Sequence, residues 1–295
     1  MRWYRTVIFP KWLRKINSYP TMTQSAQINI VVALDVEAQP LIHYYRLKRD
    51  HNINPFAVYK GDDKRLIVSG VGKRNAIVAT GYLAGLSNAN SQAWLNVGMA
   101  GGDVANFGDT VLANVIFDQE TKRRYFPSLC FEVDLPQAEI VTINEPTVDY
   151  AEGVLYDMEA AGFFDAASHF STSELIHCCK IISDNSEHEV GNITKESTLA
   201  LIEDNLANIE NVTKTLLSLL DQIKPDDRIG QAVAQLVKKY HFTTAQQNNL
   251  KVLVQSWVAL NNAADFSVIH NLEAKNSKQY LKSLGDLIHS QSIVY

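Results

Sequence analysis

Acidic and glycine residues collect at the carboxyl ends of five predicted strands. In open α/β sheets, ligands bind in the crevice outside these strand ends. A carboxylate is rarely buried unless a partner satisfies it, so each acid must either cap a helix or hold a polar ligand. The set therefore predicts a site for a polar ligand. Its members are DVE (35–37), SGVGK (69–73), GMAGG (98–102), MEA (158–160) and SDN (183–185).

Each strand end taken alone has a simpler explanation. The glycine runs are typical of turns, because glycine adopts left-handed conformations without a steric penalty. Glu37 could be a solvated acid in the first turn of a helix, where the helix dipole favours it. Glu159 could likewise start a helix, and Asp184 could cap the segment that follows it. These alternatives stay open for single residues, whereas five similar strand ends favour one shared site.

The elements that must position these residues alternate between strands and helices. The run INIVVAL (28–34) is apolar and rich in β-branched residues, which is typical of a central strand buried on both faces. The alternation predicts a three-layer α/β/α fold with a mainly parallel mixed central sheet. Further strands are predicted at 56–60, 65–70, 93–98, 109–117, 138–143, 153–158 and 174–184. Helices are predicted at 35–48, 73–86, from 159 to about Phe170, and as one amphipathic helix at 194–220.

The predicted α/β domain occupies residues 28–224, between two segments of different character. The run KPDD (224–227) interrupts the pattern, and residues 225–295 are predicted to form a helical appendage with Thr243 or Thr244 as one N-cap. Residues 1–27 contain arginines, lysines and aromatic residues but no acid. We expect them to be a disordered leader, and the alternative is a targeting segment or a membrane-surface helix.

Composition excludes several classes of protein. The 295 residues are 46% hydrophobic and carry a formal net charge of −5, whereas nucleic-acid binders usually show a basic patch. The sequence contains no apolar run approaching the ~20 residues that span a bilayer. The three cysteines, Cys130, Cys178 and Cys179, match neither a disulfide framework nor a metal-ligand spacing. We therefore expect a cytoplasmic protein with no nucleic-acid partner, no membrane span, no metal and no cofactor.

The strand-end motifs, taken together, resemble those of a known family. Their order along the chain is similar to that of the nucleoside phosphorylase superfamily, and within it to the methylthioadenosine/S-adenosylhomocysteine nucleosidase branch. The similarity extends from about Ile28 to Leu220. It is carried by VVALDVEAQPL (31–41), SGVGKRNA (69–76), LNVGMAGG (95–102), FGDTV (107–111), YDMEAAG (156–162) and IISDN (181–185).

This resemblance implies a reaction and a role for each acid. Cleavage of an N-glycosidic bond passes through an oxocarbenium-like ribosyl cation, and the purine must leave with a proton. Asp184 matches the family's residue that protonates N7 of the departing base, and Ser183 is placed to orient it. Glu37 matches the residue that activates the attacking water. Glu159 matches the carboxylate that accepts hydrogen bonds from the ribose hydroxyls, and Met158 the residue that lies against the sugar.

The remaining expected contacts are apolar or small. Val71 and Leu34 are implied as wall residues, and Gly98 and Met99 belong to the glycine loop beside the substrate. Nucleosidases of the family usually carry a hydroxyl residue at the position of Met99, so one polar contact is missing here. The segment 118–150 is also short for the family. Candidates for its aromatic platform under the base are Phe117, Phe126, Phe131 and Ile143.

Three functions are compatible with this resemblance. Phosphorylases of the superfamily bind phosphate with arginines near the first strand and before the glycine loop, and VALDVEA and WLNVGMAGG contain none. Because a phosphate dianion needs a guanidinium partner, hydrolysis by water is favoured over phosphorolysis. Met99 and the extra helices motivate a third possibility, a non-catalytic nucleoside-binding protein. The resemblance also implies a homodimer or a larger homo-oligomer with a small-molecule nucleoside as its partner.

Overall fold

The chain divides into two compact units, one ending at Gln222 and the other beginning at Ile223. The computed structural model describes residues 28–52, 55–87, 92–188, 191, 193–223, 227–261 and 266–292. The predicted leader, residues 1–27, lies outside the described residues.

The first unit contains ten strands, five α-helices and one short 3-10 helix (Ser173–Leu175) within the described residues. The strands are β1 (Ile28–Val32), β2 (Lys48–Arg49), β3 (Ala57–Lys60), β4 (Lys64–Val68), β5 (Ala93–Gly101), β6 (Thr110–Asp118), β7 (Arg124–Tyr125), β8 (Gln137–Thr142), β9 (Val154–Asp157) and β10 (Ile176–Asp184). The helices are α1 (Asp35–Tyr44), α2 (Lys73–Gly85), α3 (Ala160–Ala167), α4 (Lys195–Asp204) and α5 (Leu206–Ile223).

The ten strands form one mixed sheet in the order β10-β6-β8-β9-β5-β1-β4-β3-β2, with β7 beside β6. The longest ladders are parallel and join β1 to β4, β5 to β10, and β6 to β8. Because β10 pairs with both β5 and β6, the strands β5, β10, β6, β8 and β9 form a closed ring of pairings. Strand β9 runs antiparallel to β5 but pairs only through Gly101 and Tyr156, so the carboxyl ends of both strands meet.

Both faces of the sheet are buried under helices. In β1, the side chains of Ile28, Ile30 and Val32 lie in one hydrophobic core, which also contains residues of α1, α4 and α5. Val31 lies in the other core, on the opposite face of the sheet, with residues of α2 and α3. This alternation follows from the two-residue period of a strand. The apolar run at 28–34 therefore contains a central strand, β1, and the predicted three-layer fold class is confirmed.

Three helix predictions were wrong in detail. The predicted helix at 35–48 ends at Tyr44, and Lys48 belongs to β2. The predicted helix at 194–220 is two helices, α4 and α5, with Asn205 between them. The Asn205 side chain accepts a hydrogen bond from Thr110 Oγ1 at 2.5 Å and donates one to the Gly108 carbonyl at 2.8 Å. These bonds tie the break to β6, which sequence periodicity cannot reveal. Helix α3 ends at Ala167 rather than about Phe170.

The second unit consists of helices in its described part. They are α6 (Asp227–Lys239), α7 (Thr244–Asn261), α8 (Ser267–His270) and α9 (Ser277–Ser292). The N-cap of α7 is Thr243, whose Oγ1 accepts from the Gln246 amide while Gln246 Oε1 accepts from the Thr243 amide. Leu236, Leu250, Trp257 and Tyr280 lie in a separate core of this unit. Among all described helices, none is long and apolar enough to cross a bilayer.

Candidate active site

A cavity of about 190 Å³ lies at the carboxyl ends of β1, β5, β9 and β10. All the residues that the sequence predicts as site residues line it, except Gly98. The lining consists of Ala33, Leu34, Glu37, Val71, Met99, Ala100, Gly101, Ile143, Pro146, Thr147, Tyr150, Tyr156, Asp157, Met158, Glu159, Ser183 and Asp184. The fold thus brings acids from three distant parts of the sequence to one place.

Gly98 does not line the cavity, so its expected direct contact with substrate is not supported. It lies beneath the acids instead. A Cβ atom at this position would lie 3.0 Å from Glu37 Oε1 and 3.6 Å from Lys180 Nζ. A side chain here would therefore crowd the Glu37 carboxylate, and glycine avoids this close contact.

Glu37 is a buried carboxylate, not a solvated one. Its Oε2 accepts hydrogen bonds from the backbone amides of Ala33 at 3.0 Å and Leu34 at 2.8 Å, and its Oε1 accepts one from Met99 at 3.2 Å. Burial raises the pKa of Glu37, while these amides and the nearby Lys180 ammonium oppose the shift. Since a carboxylate oxygen has two acceptor sites, Oε1 can still accept a hydrogen bond from a water molecule.

Glu159 does not cap the helix that it precedes. Its Oε1 accepts a hydrogen bond from the Gly72 amide at 2.7 Å. Gly72 has a φ of 103°, a conformation that glycine adopts readily, and this turn aims its N–H group at the carboxylate. Burial raises the pKa of Glu159 to about 7, with Lys180 opposing the rise and the Asp157 charge adding to it.

Asp157 caps α3, the role that the sequence left open for Glu159. Its Oδ2 accepts from the amides of Glu159 at 3.1 Å and Ala160 at 2.7 Å, and its Oδ1 accepts from Thr142 Oγ1 at 2.7 Å. The sequence assigned Asp157 no function. With the cap provided by its neighbour, Glu159 keeps its carboxylate directed at the cavity.

Lys180 is a buried charged residue next to the site that the sequence analysis did not identify. Its side chain is 1% exposed, and its Nζ lies 2.9 Å from Asp157 Oδ2. Desolvation lowers the pKa of the Lys180 ammonium, but the charges of Asp157 and Glu159 outweigh it and leave that pKa raised. A lysine in the middle of the apolar run IHCCKIISD was the available signal, because a buried charge requires a partner.

A bulge at the end of β10 turns two consecutive residues toward the cavity. Ile182 is paired with Ala100 and Asp184 with Gly101, so Ser183 is the extra residue. Ser183 Oγ donates to Asp184 Oδ1 at 2.5 Å, consistent with the expectation that it orients the acid. The other carboxylate oxygen, Oδ2, accepts a hydrogen bond from the Tyr150 hydroxyl. Tyr150 was not among the predicted site residues.

The aromatic residues of the cavity are Tyr150 and Tyr156, whose ring centroids are 6.3 Å apart. Of the four candidates for a platform under the base, only Ile143 lines the cavity. The phenylalanine candidates lie elsewhere. Phe117 contacts the Arg124 guanidinium, Phe126 is exposed, and Phe131 packs against His177 at 5.0 Å.

The arrangement provides acids at two places in the cavity and one buried cation beneath it. Glu37 and Glu159 lie near Lys180, whereas Asp184 is held by hydroxyl donors at the end of β10. Such a site can accept hydrogen bonds from sugar hydroxyls, take a proton from water and transfer a proton to a leaving group. In the described part of the chain, no group of three or more His, Cys, Asp or Glu residues could hold a metal ion.

Comparison with known proteins gives matches by structure but not by sequence. No protein-family model and no curated protein matches the chain. The apo 5′-methylthioadenosine nucleosidase of Arabidopsis thaliana superposes with a TM-score of 0.53 at 17% identity, covering 68% of this chain and 98% of that one. A variant of the Chlamydia trachomatis nucleosidase MTAN, bound to MTA, superposes with a TM-score of 0.52 at 18% identity. The match covers 65% of this chain and 99% of that one.

A third solved structure extends this result. The methylthioadenosine/S-adenosylhomocysteine nucleosidase of Colwellia psychrerythraea, in complex with adenine, gives a TM-score of 0.50 at 18% identity, covering 67% of this chain and 97% of that one. At such low identity the likeness concerns the backbone. This chain therefore has the same fold as these nucleosidases, with a helical unit following Gln222.

Proposed function

We propose that this protein is a purine nucleosidase that hydrolyses the N-glycosidic bond of a purine nucleoside or a 5′-thio-substituted adenosine. The observation that carries the proposal is the convergence of Glu37, Glu159 and Asp184 on one cavity. They come from the start of α1 and from the ends of β9 and β10. The nucleosidase fold and the bound MTA and adenine of solved relatives support the choice of substrate class.

Each acid has a distinct place in the proposed reaction. Glu159 and Met158 hold the ribose, whose hydroxyls donate to the carboxylate. A water molecule attacks C1′ and gives its proton to Glu37, whose Oε1 retains an acceptor site. The bond from C1′ to the purine nitrogen breaks, the base keeps the electron pair, and Asp184 supplies the proton that neutralises the base at N7.

Lys180 stabilises the negative charges of the two glutamates that the proposed reaction requires. Its ammonium group lies beneath Glu37 and Glu159 and forms an ion pair with Asp157. A positive charge here favours the ionised form of both glutamates. Glu37 can then accept a proton from water, and Glu159 can accept hydrogen bonds from the sugar. We therefore propose Lys180 as a positioning residue.

Hydrolysis is favoured over phosphorolysis by the cavity lining. No arginine lines the cavity in the described part of the chain, and the acids there would repel a phosphate dianion. Met99 is the observation that favours a non-catalytic nucleoside-binding protein instead, because it places a thioether where a hydroxyl residue is expected. Its backbone amide nevertheless holds Glu37.

The direct test is release of free purine from methylthioadenosine, S-adenosylhomocysteine, adenosine and inosine, with and without phosphate. We expect product from at least one nucleoside in the absence of phosphate. Binding without product from any of the four would support the non-catalytic alternative. Product that forms only with phosphate would replace hydrolysis by phosphorolysis.

The raised pKa of Glu159 predicts a pH dependence. Because the ionised carboxylate accepts hydrogen bonds from the sugar hydroxyls more strongly than the protonated acid does, kcat/KM should fall about tenfold for each pH unit below about 7. In Glu159→Gln this acid limb should weaken, and kcat/KM at pH 8 should drop by about tenfold or more, the value of a hydrogen bond to a charged group. The measurement is kcat/KM from pH 5 to 9.

The control for this experiment is Glu152→Gln, at an exposed position. It should leave the pH profile unchanged. An acid limb in Glu159→Gln with the wild-type midpoint and slope would assign the titration to another group and count against the sugar-binding role of Glu159.

We also propose a reducing, cytoplasmic location and a homo-oligomeric state. All three cysteines are free thiols, and Cys178 and Cys179 are buried. Burial raises the pKa of Cys179 to about 12, so its reactive thiolate is suppressed. Sedimentation of the full-length chain tests the oligomeric state. A monomer at micromolar concentration would refute that part of the proposal.

A further inference from the structure

The Tyr150 side chain contacts Asp184, the acid at which the leaving base is proposed to bind. Its hydroxyl donates to Asp184 Oδ2, the carboxylate oxygen that Ser183 leaves free. Gly101 makes room for this contact, because a Cβ atom there would overlap the Asp184 carboxylate and lie 2.9 Å from the Tyr150 ring. The contact between Tyr150 and Asp184 therefore requires a residue without a side chain at position 101.

The Tyr150 bond also ties down the segment that carries it. Within the described residues, it is the hydrogen bond that connects residues 145–152 to the rest of the protein. The other bond in this segment is local, from the Asp149 amide to Thr147 Oγ1. Loss of the bond to Asp184 would leave the segment without a hydrogen-bonded anchor there.

Residues of this segment line two cavities. The cavity at the acids has a volume of about 190 Å³, below the ~300–1,000 Å³ of ordinary ligand sites. A second cavity of about 630 Å³ shares Ile143, Thr147 and Tyr156 with it and is otherwise lined by residues such as Asn144 and Asp149. With Tyr150 in place, the space at Asp184 is small for a nucleoside.

We propose that Tyr150 is a latch on Asp184 that competes with the leaving base for the same carboxylate oxygen. The competition is for position rather than for lone pairs, since Oδ2 has acceptor sites for two partners. The Tyr150 hydroxyl lies within hydrogen-bond distance of Oδ2, inside a cavity whose volume of about 190 Å³ is small for a nucleoside. A base that approaches Oδ2 must therefore displace the phenol. The latch rests on the proposed function, because it assumes that the base binds at Asp184.

The phenol stays protonated over the working range of pH. Burial, the hydrogen bond and the negative charge of Asp184 all raise the pKa of Tyr150. Tyr150 therefore remains the donor in this pair, and the geometry of the contact does not depend on its ionisation.

The test compares adenine binding to wild-type protein, Tyr150→Phe and Tyr156→Phe by calorimetry. Tyr150→Phe removes the competing hydrogen bond, and we expect it to bind adenine about tenfold more tightly, the ratio that one hydrogen bond to a charged group supplies. Tyr156→Phe is the matched control. It removes a phenol from the same cavity, and within the described residues no hydrogen bond joins that phenol to Asp184.

Hydrogen exchange of the unliganded proteins provides a second readout. Residues 145–152 should exchange faster in Tyr150→Phe than in wild type or Tyr156→Phe, since the anchor is lost. Equal or weaker adenine binding by Tyr150→Phe would overturn the latch and leave the proposed function intact. A wild-type protein and variants that all fail to bind adenine and release no purine would overturn both.

Discussion

Replacing Asp184 by Asn is expected to lower kcat by at least about a hundredfold, the usual contribution of a positioned general acid. The amide has nearly the same shape, so Ser183 and Tyr150 can still form hydrogen bonds at this position. Its N–H groups can donate hydrogen bonds, but they are not acidic enough to transfer a proton to the departing purine. The fold should therefore persist while turnover is lost, and single-turnover purine release from methylthioadenosine measures the effect.

The matched control is Asp149→Asn, which makes the same chemical change at an exposed position of the segment carrying Tyr150. It should keep wild-type kcat. If Asp184→Asn retains kcat within about threefold, well inside the range expected for general-acid catalysis, then Asp184 does not protonate the base.

The second large effect is expected at Lys180. Replacing it by Met leaves Asp157 buried without its counter-charge, with Glu37 and Glu159 nearby. Removal of one partner of a buried ion pair typically lowers the free energy of unfolding by about 3–5 kcal/mol. Urea unfolding measures the loss. Because the chain has two compact units, hydrogen exchange of β10 peptides should accompany it to identify the unit that is weakened.

Two further variants separate charge from packing at this site. Lys180→Arg keeps the positive charge and should retain most of the stability. Combining Lys180→Met with Asp157→Asn removes both charges and should recover part of the loss, which makes the pair suitable for a double-mutant cycle. A loss below about 1 kcal/mol in Lys180→Met would show that the ion pair is not what holds these carboxylates in place.

Much of the fold and part of the site follow from local sequence. The apolar run at 28–34 predicts a strand buried on both faces, and the structure confirms it. Acids after strands predict which side chains share a cavity, because the carboxyl ends of neighbouring strands meet. For this reason Glu37, Glu159 and Asp184 could be brought together without a structure.

The remainder depends on contacts between distant residues. Lys180 lies in a strand whose neighbours are apolar, and its partner Asp157 is on a different strand. Tyr150 lies in an irregular segment without periodicity, so its contact with Asp184 has no local signal. The division of α4 from α5 likewise depends on Asn205 meeting Thr110 across the fold. Patterns along the chain identify elements, but not the pairs that tertiary packing creates.

The closed ring of strands has a consequence for how the protein behaves among other chains. An open sheet presents unpaired backbone groups along its outer strands, and these can recruit a strand from another molecule. Here the long strands β5, β6, β8 and β10 lie within the ring, and the outermost strands, β2 and β7, are two residues long. Strand β2 is Lys48–Arg49, whose charges further oppose strand addition. The topology that gathers the acids therefore also protects the sheet against aggregation.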